Sequence, residues 1–239
     1  MLRARPLHYT SRMDAYAGLL TALGLTLEHD AGDWRVFTSG HGKVGLHFTE
    51  PGSVEDGTTA LGFELRDREI FVRRTQEDGT CAELFDAGHG PSARITAPDG
   101  FSFLADPVTD LSRPAPDTDG TLKVLQLWYT QDPAAAQKVL ADMGAKLAVS
   151  SETAGWALFN AKNGGLTATH LGEPNAVELA FEYTGDITVL AAKMAAQGVS
   201  GEIIDERYGR TLHLPDPSNA GATVWVNERQ TDFHGYRQH

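Results

Sequence analysis

Trp34-Arg35-Val36-Phe37, followed by His47-Phe48-Thr49-Glu50-Pro51, returns in the second half of the chain as Trp156-Ala157-Leu158-Phe159 and His170-Leu171-Gly172-Glu173-Pro174. Around this pair, Gly62-Phe63-Glu64-Leu65 returns as Ala180-Phe181-Glu182-Tyr183, and Pro98-Asp99 as Pro215-Asp216, all at offsets between 117 and 123 residues. A step that long exceeds a solenoid repeat and marks a domain duplicated in tandem.

Each half divides again. Four short apolar stripes end at Gly24, Gly79, Gly144 and Gly198, spaced by 55, 65 and 54 residues. The first shows Tyr16, Leu19, Leu20 and Leu23 at helical spacing, with Ser11 and Asp14 as a capping pair. The others open on Asp67, on Asp132 with Pro133 behind it, and on Asp186. Strand-like segments surround every helix, so the unit reads as strand, helix and three strands. In Val44-Gly45-Leu46-His47-Phe48 the residues Val44, Leu46 and Phe48 share one face, and Gly45 and His47 the other. One face meets the helix, leaving the second for another sheet or a ligand. The longer middle step contains Arg113-Pro114-Ala115-Pro116 and reads as a linker over residues 109–120, between a domain at 1–108 and another at 121–231. Residues 232–239 form a tail whose aromatics are candidates to pack back on the second domain.

The composition narrows the function. The 239 residues are 41% apolar and 22% charged, as in a globular protein, and carry a formal charge of −12. Phosphate neutralisation by cations would be repulsive overall, which argues against nucleic acid and anionic membrane as partners. Cys81 stands alone, so neither an internal disulfide nor a cysteine-rich zinc site is available. No apolar leader follows Met1-Leu2-Arg3, and no stretch approaches the roughly 20 apolar residues of a membrane span. The expected location is cytoplasmic.

The paired units, the helix ending in Leu23-Gly24-Leu25 and the closing Pro98-Asp99-Gly100-Phe101-Ser102-Phe103 strand resemble the vicinal-oxygen-chelate superfamily, which holds glyoxalases, bleomycin-resistance proteins and extradiol dioxygenases. The resemblance covers nearly the whole chain. It implies an α+β fold of four βαβββ units, forming two tandem domains with cupped mixed sheets, each cup able to hold a small organic molecule. A tandem chain can close its cups without a second copy.

Enzymes of this superfamily hold a divalent metal on His or Glu from the first and last strands of paired units, and a catalytic metal needs about three protein ligands plus an open position. Carried over residue by residue, unit one offers His8 and His47. Unit two has Ala60, Leu61 and Leu104 at these places, none a donor. Unit three has Leu125 or Gln126, with His170 repeating His47; unit four has Glu178, then Val226-Asn227, with Glu228 out of register. His8, His47, His170 and Glu178 are the only metal candidates, and neither domain reaches three ligands. No cofactor is therefore expected, the divalent metal being the one the resemblance would bring.

The candidate ligand-binding residues are His8, Trp34, His47, Glu50, Trp156, His170 and Glu173. Each has a plainer alternative: the histidines can satisfy backbone groups, Glu-Pro can simply end a strand, and the tryptophans can be core aromatics. No nucleophile elbow appears, and Cys81 has no base near it in sequence. Two readings result. One is a small-molecule binder without a complete metal site, in the manner of the bleomycin-resistance proteins. The other is a metal-dependent glyoxalase-, lyase- or dioxygenase-like enzyme acting on an oxygen-rich substrate.

Overall fold

The computed structural model describes residues 2–108, 118 and 120–239, so the expected linker lies almost wholly outside the described residues. Unit one comprises β1 (Leu2–Ala4), β2 (Leu7–Thr10), α1 (Met13–Leu23), β3 (Thr26–Asp30), β4 (Trp34–Thr38) and β5 (Lys43–Phe48). Unit two follows as β6 (Thr59–Ala60), β7 (Gly62–Leu65), α2 (Arg68–Glu77), β8 (Cys81–Ala87), β9 (Gly90–Thr96) and β10 (Ser102–Pro107). Unit three is β11 (Leu122–Thr130), α3 (Pro133–Asp142), β12 (Lys146–Ser151), β13 (Trp156–Asn160) and β14 (Leu166–Leu171). Unit four is β15 (Ala176–Tyr183), α4 (Ile187–Ala196), β16 (Glu202–Glu206), β17 (Gly209–Pro215) and β18 (Thr223–Glu228); β19 (Tyr236–Gln238) closes the chain.

Three of the helices start as the sequence predicts. The carboxylates of Asp67, Asp132 and Asp186 accept from the N–H groups of Ile70, Ala135 and Thr188, satisfying donors that the helix leaves unpaired. The first does not. Ser11 donates its N–H and hydroxyl to Asp56 at 2.7 and 2.8 Å, Asp14 accepts from Arg35, and Arg12 stands at the N-cap without a side-chain bond. A tertiary partner outcompetes the local cap.

The second half forms one nine-stranded sheet, ordered β16-β17-β18-β15-β11-β14-β13-β12-β19. The first half builds the same path but breaks it into two five-stranded sheets, β3-β4-β5-β2-β6 and β1-β7-β10-β9-β8. The break falls where β11 and β15 are continuous. Pro6, which has no N–H, separates β1 from β2, and Leu61 separates β6 from β7. Gly62 then passes so close to Arg5 that an added Cβ would lie 2.5 Å from its carbonyl oxygen. The Gly62 N–H donates to the buried Gln126 side chain of the second half, at 3.1 Å.

The helices lie between the halves, α1 against α4 and α2 against α3. One core cluster joins Phe63, Ile95 and Phe103 to Trp128, Leu140 and Phe159; the other joins Tyr16, Leu20 and Phe37 to Phe181, Ile187 and Val226. Both cores therefore draw on both halves. At about 25 cal/mol per Å2 of apolar surface, burial of this kind is the main force holding the halves together. The faces of the sheets turned away from the helices form the cups.

Candidate functional site

Alternation along β11 sends Val124, Gln126, Trp128 and Thr130 into the interior and Leu125, Leu127 and Tyr129 into the second cup. The cup encloses a cavity of about 460 Å3. Leu158, Ala168 and Ala180 continue its apolar floor, while Trp156, Tyr208, Trp225 and Tyr236 form its walls. Tyr236 reaches the site because β19 pairs with β12, and its ring meets Trp156 edge-on at 5.7 Å. The polar groups along the cavity, besides the tyrosine hydroxyls, are His170, Thr223, Asn227, Gln230 and four glutamates, Glu178, Glu182, Glu206 and Glu228. The Tyr129 hydroxyl donates to Glu178 at 2.9 Å; burial, with the adjacent Glu178 charge, pushes this phenol well above its ordinary pKa, so it stays a donor.

The first cup has the same skeleton with different contents. Aligned strand registers make Tyr9↔His47 the counterpart of Tyr129↔His170, and Arg3↔Glu64 that of Lys123↔Glu182. On that alignment Leu125 replaces Arg5, Leu166 replaces Lys43 and Asn227 replaces Asp106. In the first cup these charges are spent internally. Arg5 bonds to Asp106 and lies 3.9 Å from Glu64; Lys43 pairs with Glu28 at 2.8 Å and Glu64 at 3.4 Å; Arg3 pairs with Glu64 at 3.2 Å. Burial would raise the Asp106 pKa, but the Arg5 charge and bonds from Ser92 and His89 hold it below the ordinary value. The Arg5 guanidinium also covers the Trp34 ring, 5.5 Å from its centroid. Trp34 in turn lies over Gly45, where an added Cβ would come within 2.5 Å of the ring; the counterpart of Gly45 is Ala168.

Trp156, His170 and Glu178 thus line one cavity. Trp34 fills the first cup, His47 packs beside it at 6.1 Å, and Glu50 and Glu173 are exposed beyond the strand ends. His47 and His170 make the same bond in both copies, Nδ1 donating to the carbonyl of the next residue, Phe48 at 2.8 Å and Leu171 at 2.7 Å. That bond accounts for the repeated phrase without a ligand. His8 pairs in register with Leu46 and points away from His47. It is buried against Tyr16 at 4.0 Å and hydrogen-bonded to Thr59 and Ser218, and burial pulls its pKa down to about 4, against the attraction of Asp56.

These placements do not fit a resident catalytic metal. His8 and His47 lie on opposite faces, β11 turns only Leu125, Leu127 and Tyr129 into the cavity, and Glu178 is held by Tyr129. Among the described residues no three His, Cys, Asp or Glu side chains form a group that could hold a metal ion. The repeat could have pointed to Tyr129 through Tyr9. Glu206 and Tyr208 sit at a hairpin end and Tyr236 in the tail, where no sequence period applies.

No protein-family model and no curated protein sequence matches the chain. Solved structures do. A catechol 2,3-dioxygenase aligns over 95% of this chain and 92% of its own, with a TM-score of 0.61 and 15% identity. The homoprotocatechuate 2,3-dioxygenase of Brevibacterium fuscum, in complex with 3,4-dihydroxyphenylacetate, aligns over 95% and 79%, with a TM-score of 0.64 and 19% identity. The 2,3-dioxygenase LapB of Pseudomonas sp. KL28 aligns over 95% and 91%, with a TM-score of 0.59 and 17% identity. Identity this low speaks for architecture alone. The chain has the α+β, vicinal-oxygen-chelate fold of the extradiol dioxygenases.

Proposed function

We propose that this protein binds a small, flat organic molecule in its second cup, holding it by burial and aromatic contact without a catalytic metal. The observation that carries the reading is the contrast between the cups: one is filled by its own Arg5, Lys43 and Trp34, while the other keeps about 460 Å3 between aromatic walls. That volume suits a small ligand, and an apolar cup with a few polar groups is the usual form of such sites. One solved neighbour is named as a complex with a small aromatic acid. Refilling the cup tests the reading. Leu125→Arg with Asn227→Asp imports the internal charge pair of the first cup. It should weaken binding of an aromatic ligand, found by a thermal-shift screen, at least about tenfold, with the fold intact by circular dichroism. Undiminished affinity would place the ligand elsewhere.

The metal-dependent enzyme is the second reading, favoured by the likeness to dioxygenases. The donor set opposes it. Equilibrium dialysis against Fe(II), Mn(II) and Zn(II) decides between the two, since one tightly bound equivalent would overturn the metal-free reading.

A further inference from the structure

The first cup is balanced by its own cations; the second is not. Among the described residues no Lys or Arg lines the second cavity, against four glutamates. Glu182 and Glu228 are paired, with Lys123 at 2.7 Å and Arg210 at 2.6 Å. Glu178 accepts only the neutral Tyr129 hydroxyl, and Glu206 has no ion pair among the described residues. Both are additions to the second cup, because their counterparts by register are Ala60 and Ala87. Of the three cations of the first cup, Arg3 has its counterpart in Lys123, whereas Arg5 and Lys43 correspond to Leu125 and Leu166. The second cup thus has glutamates where the first has alanines and leucines where the first has cations, around aromatic rings.

From this, and resting on the reading of the second cup as a ligand site, we infer that its ligand is an organic cation: an amine, amidine or guanidine carried on a flat apolar group. The first cup contains the interaction in miniature, a guanidinium stacked on Trp34 and held by Glu64 and Asp106. In the second cup Trp156 occupies the place of Trp34, and a cation from outside takes the part of Arg5. A ring enters between Trp156, Trp225 and Tyr236, where its quadrupole partners favour positive charge. Its ammonium or guanidinium group turns to Glu178 or Glu206, which gain a charge-assisted hydrogen bond. An anionic ligand would meet uncompensated carboxylates instead.

The test uses three probes of one shape and different charge, 2-phenylethylamine, 2-phenylethanol and 3-phenylpropionate, titrated into the whole protein and followed by calorimetry and tryptophan fluorescence. The amine should bind at least about tenfold more tightly than the alcohol, with the propionate weaker still. In Glu178→Gln/Glu206→Gln the advantage of the amine should fall below about threefold while the affinity of the alcohol stays the same, and added salt should act in the same direction. If the alcohol or propionate binds as tightly as the amine, and Leu125→Arg/Asn227→Asp removes that binding, the charge inference falls and the cup remains a ligand site. If none of the three gives a signal that this variant removes, both fall.

Discussion

The two cups of this chain share a strand plan, a tryptophan and a histidine at matching positions, yet one packs Arg5, Lys43 and Trp34 together and the other encloses a cavity of about 460 Å3. The difference comes from few residues. An arginine, a lysine and a glycine in the first cup let charge and an indole ring fill the space; leucine, leucine and alanine in the second leave it open. Duplication kept the backbone hydrogen-bond pattern, which neither version disturbs, while the inward side chains diverged. On the proposed reading, the ionic cluster ties the first cup to stability and leaves ligand binding to the second.

If that division is right, the largest effect belongs to the plug. Arg5→Leu takes the guanidinium from the buried Asp106, while Glu64 keeps Arg3 and Lys43, and should destabilise the protein by about 3–5 kcal/mol in urea unfolding, as expected when a buried pair loses one member. Adding Asp106→Asn reproduces the pair found in the second cup, Leu125 and Asn227, and should recover most of that loss. A double variant no better than the single one would break the comparison.

Acid should weaken the first half next. Burial holds the folded pKa of His8 at about 4, against an ordinary 6.5, so between these values the unfolded chain takes up a proton that the folded chain does not. The stability contribution is complete above pH 6.5 and declines as the pH falls towards 4, by about 3 kcal/mol in all. His8→Phe should flatten that slope in denaturation curves taken across the window. Its counterpart Trp128 cannot titrate, and the depressed Asp106 matters only below the ordinary carboxylate range.

The smallest effect separates packing from space. Gly45→Ala forces the Trp34 ring aside and should cost about 1–3 kcal/mol, whereas Ala168→Val extends into the cavity and should change thermal stability by less than about 1 kcal/mol. Equal costs would mean that the second cup is no emptier than the first.

Much of the architecture was legible because it is written in periods. The stripe Tyr16, Leu19, Leu20 and Leu23, the aspartates opening three of the helices and the glycines following all four are local signals, and local hydrogen bonding obeys them. The 120-residue echo of Trp34 and His47 at Trp156 and His170 disclosed the duplication for the same reason. The site was less legible. His8 was expected beside His47, but a strand reverses its faces at every residue, so an alignment one position off moves a side chain from the cup to the core. Ser11 was expected to cap α1, but Asp56, 45 residues away, claimed it.

The order of short-range patterns along this chain was enough to establish four units, their helices and the doubling of the fold, since each pattern depends on neighbours a few bonds away. Which cup stays open is another matter. It depends on whether Arg5 meets Asp106 and Glu64, whether Trp34 finds room over Gly45, and whether the last strand returns Tyr236 to Trp156. Those contacts join residues 11 to 101 positions apart, and only the closed sheets bring them within reach.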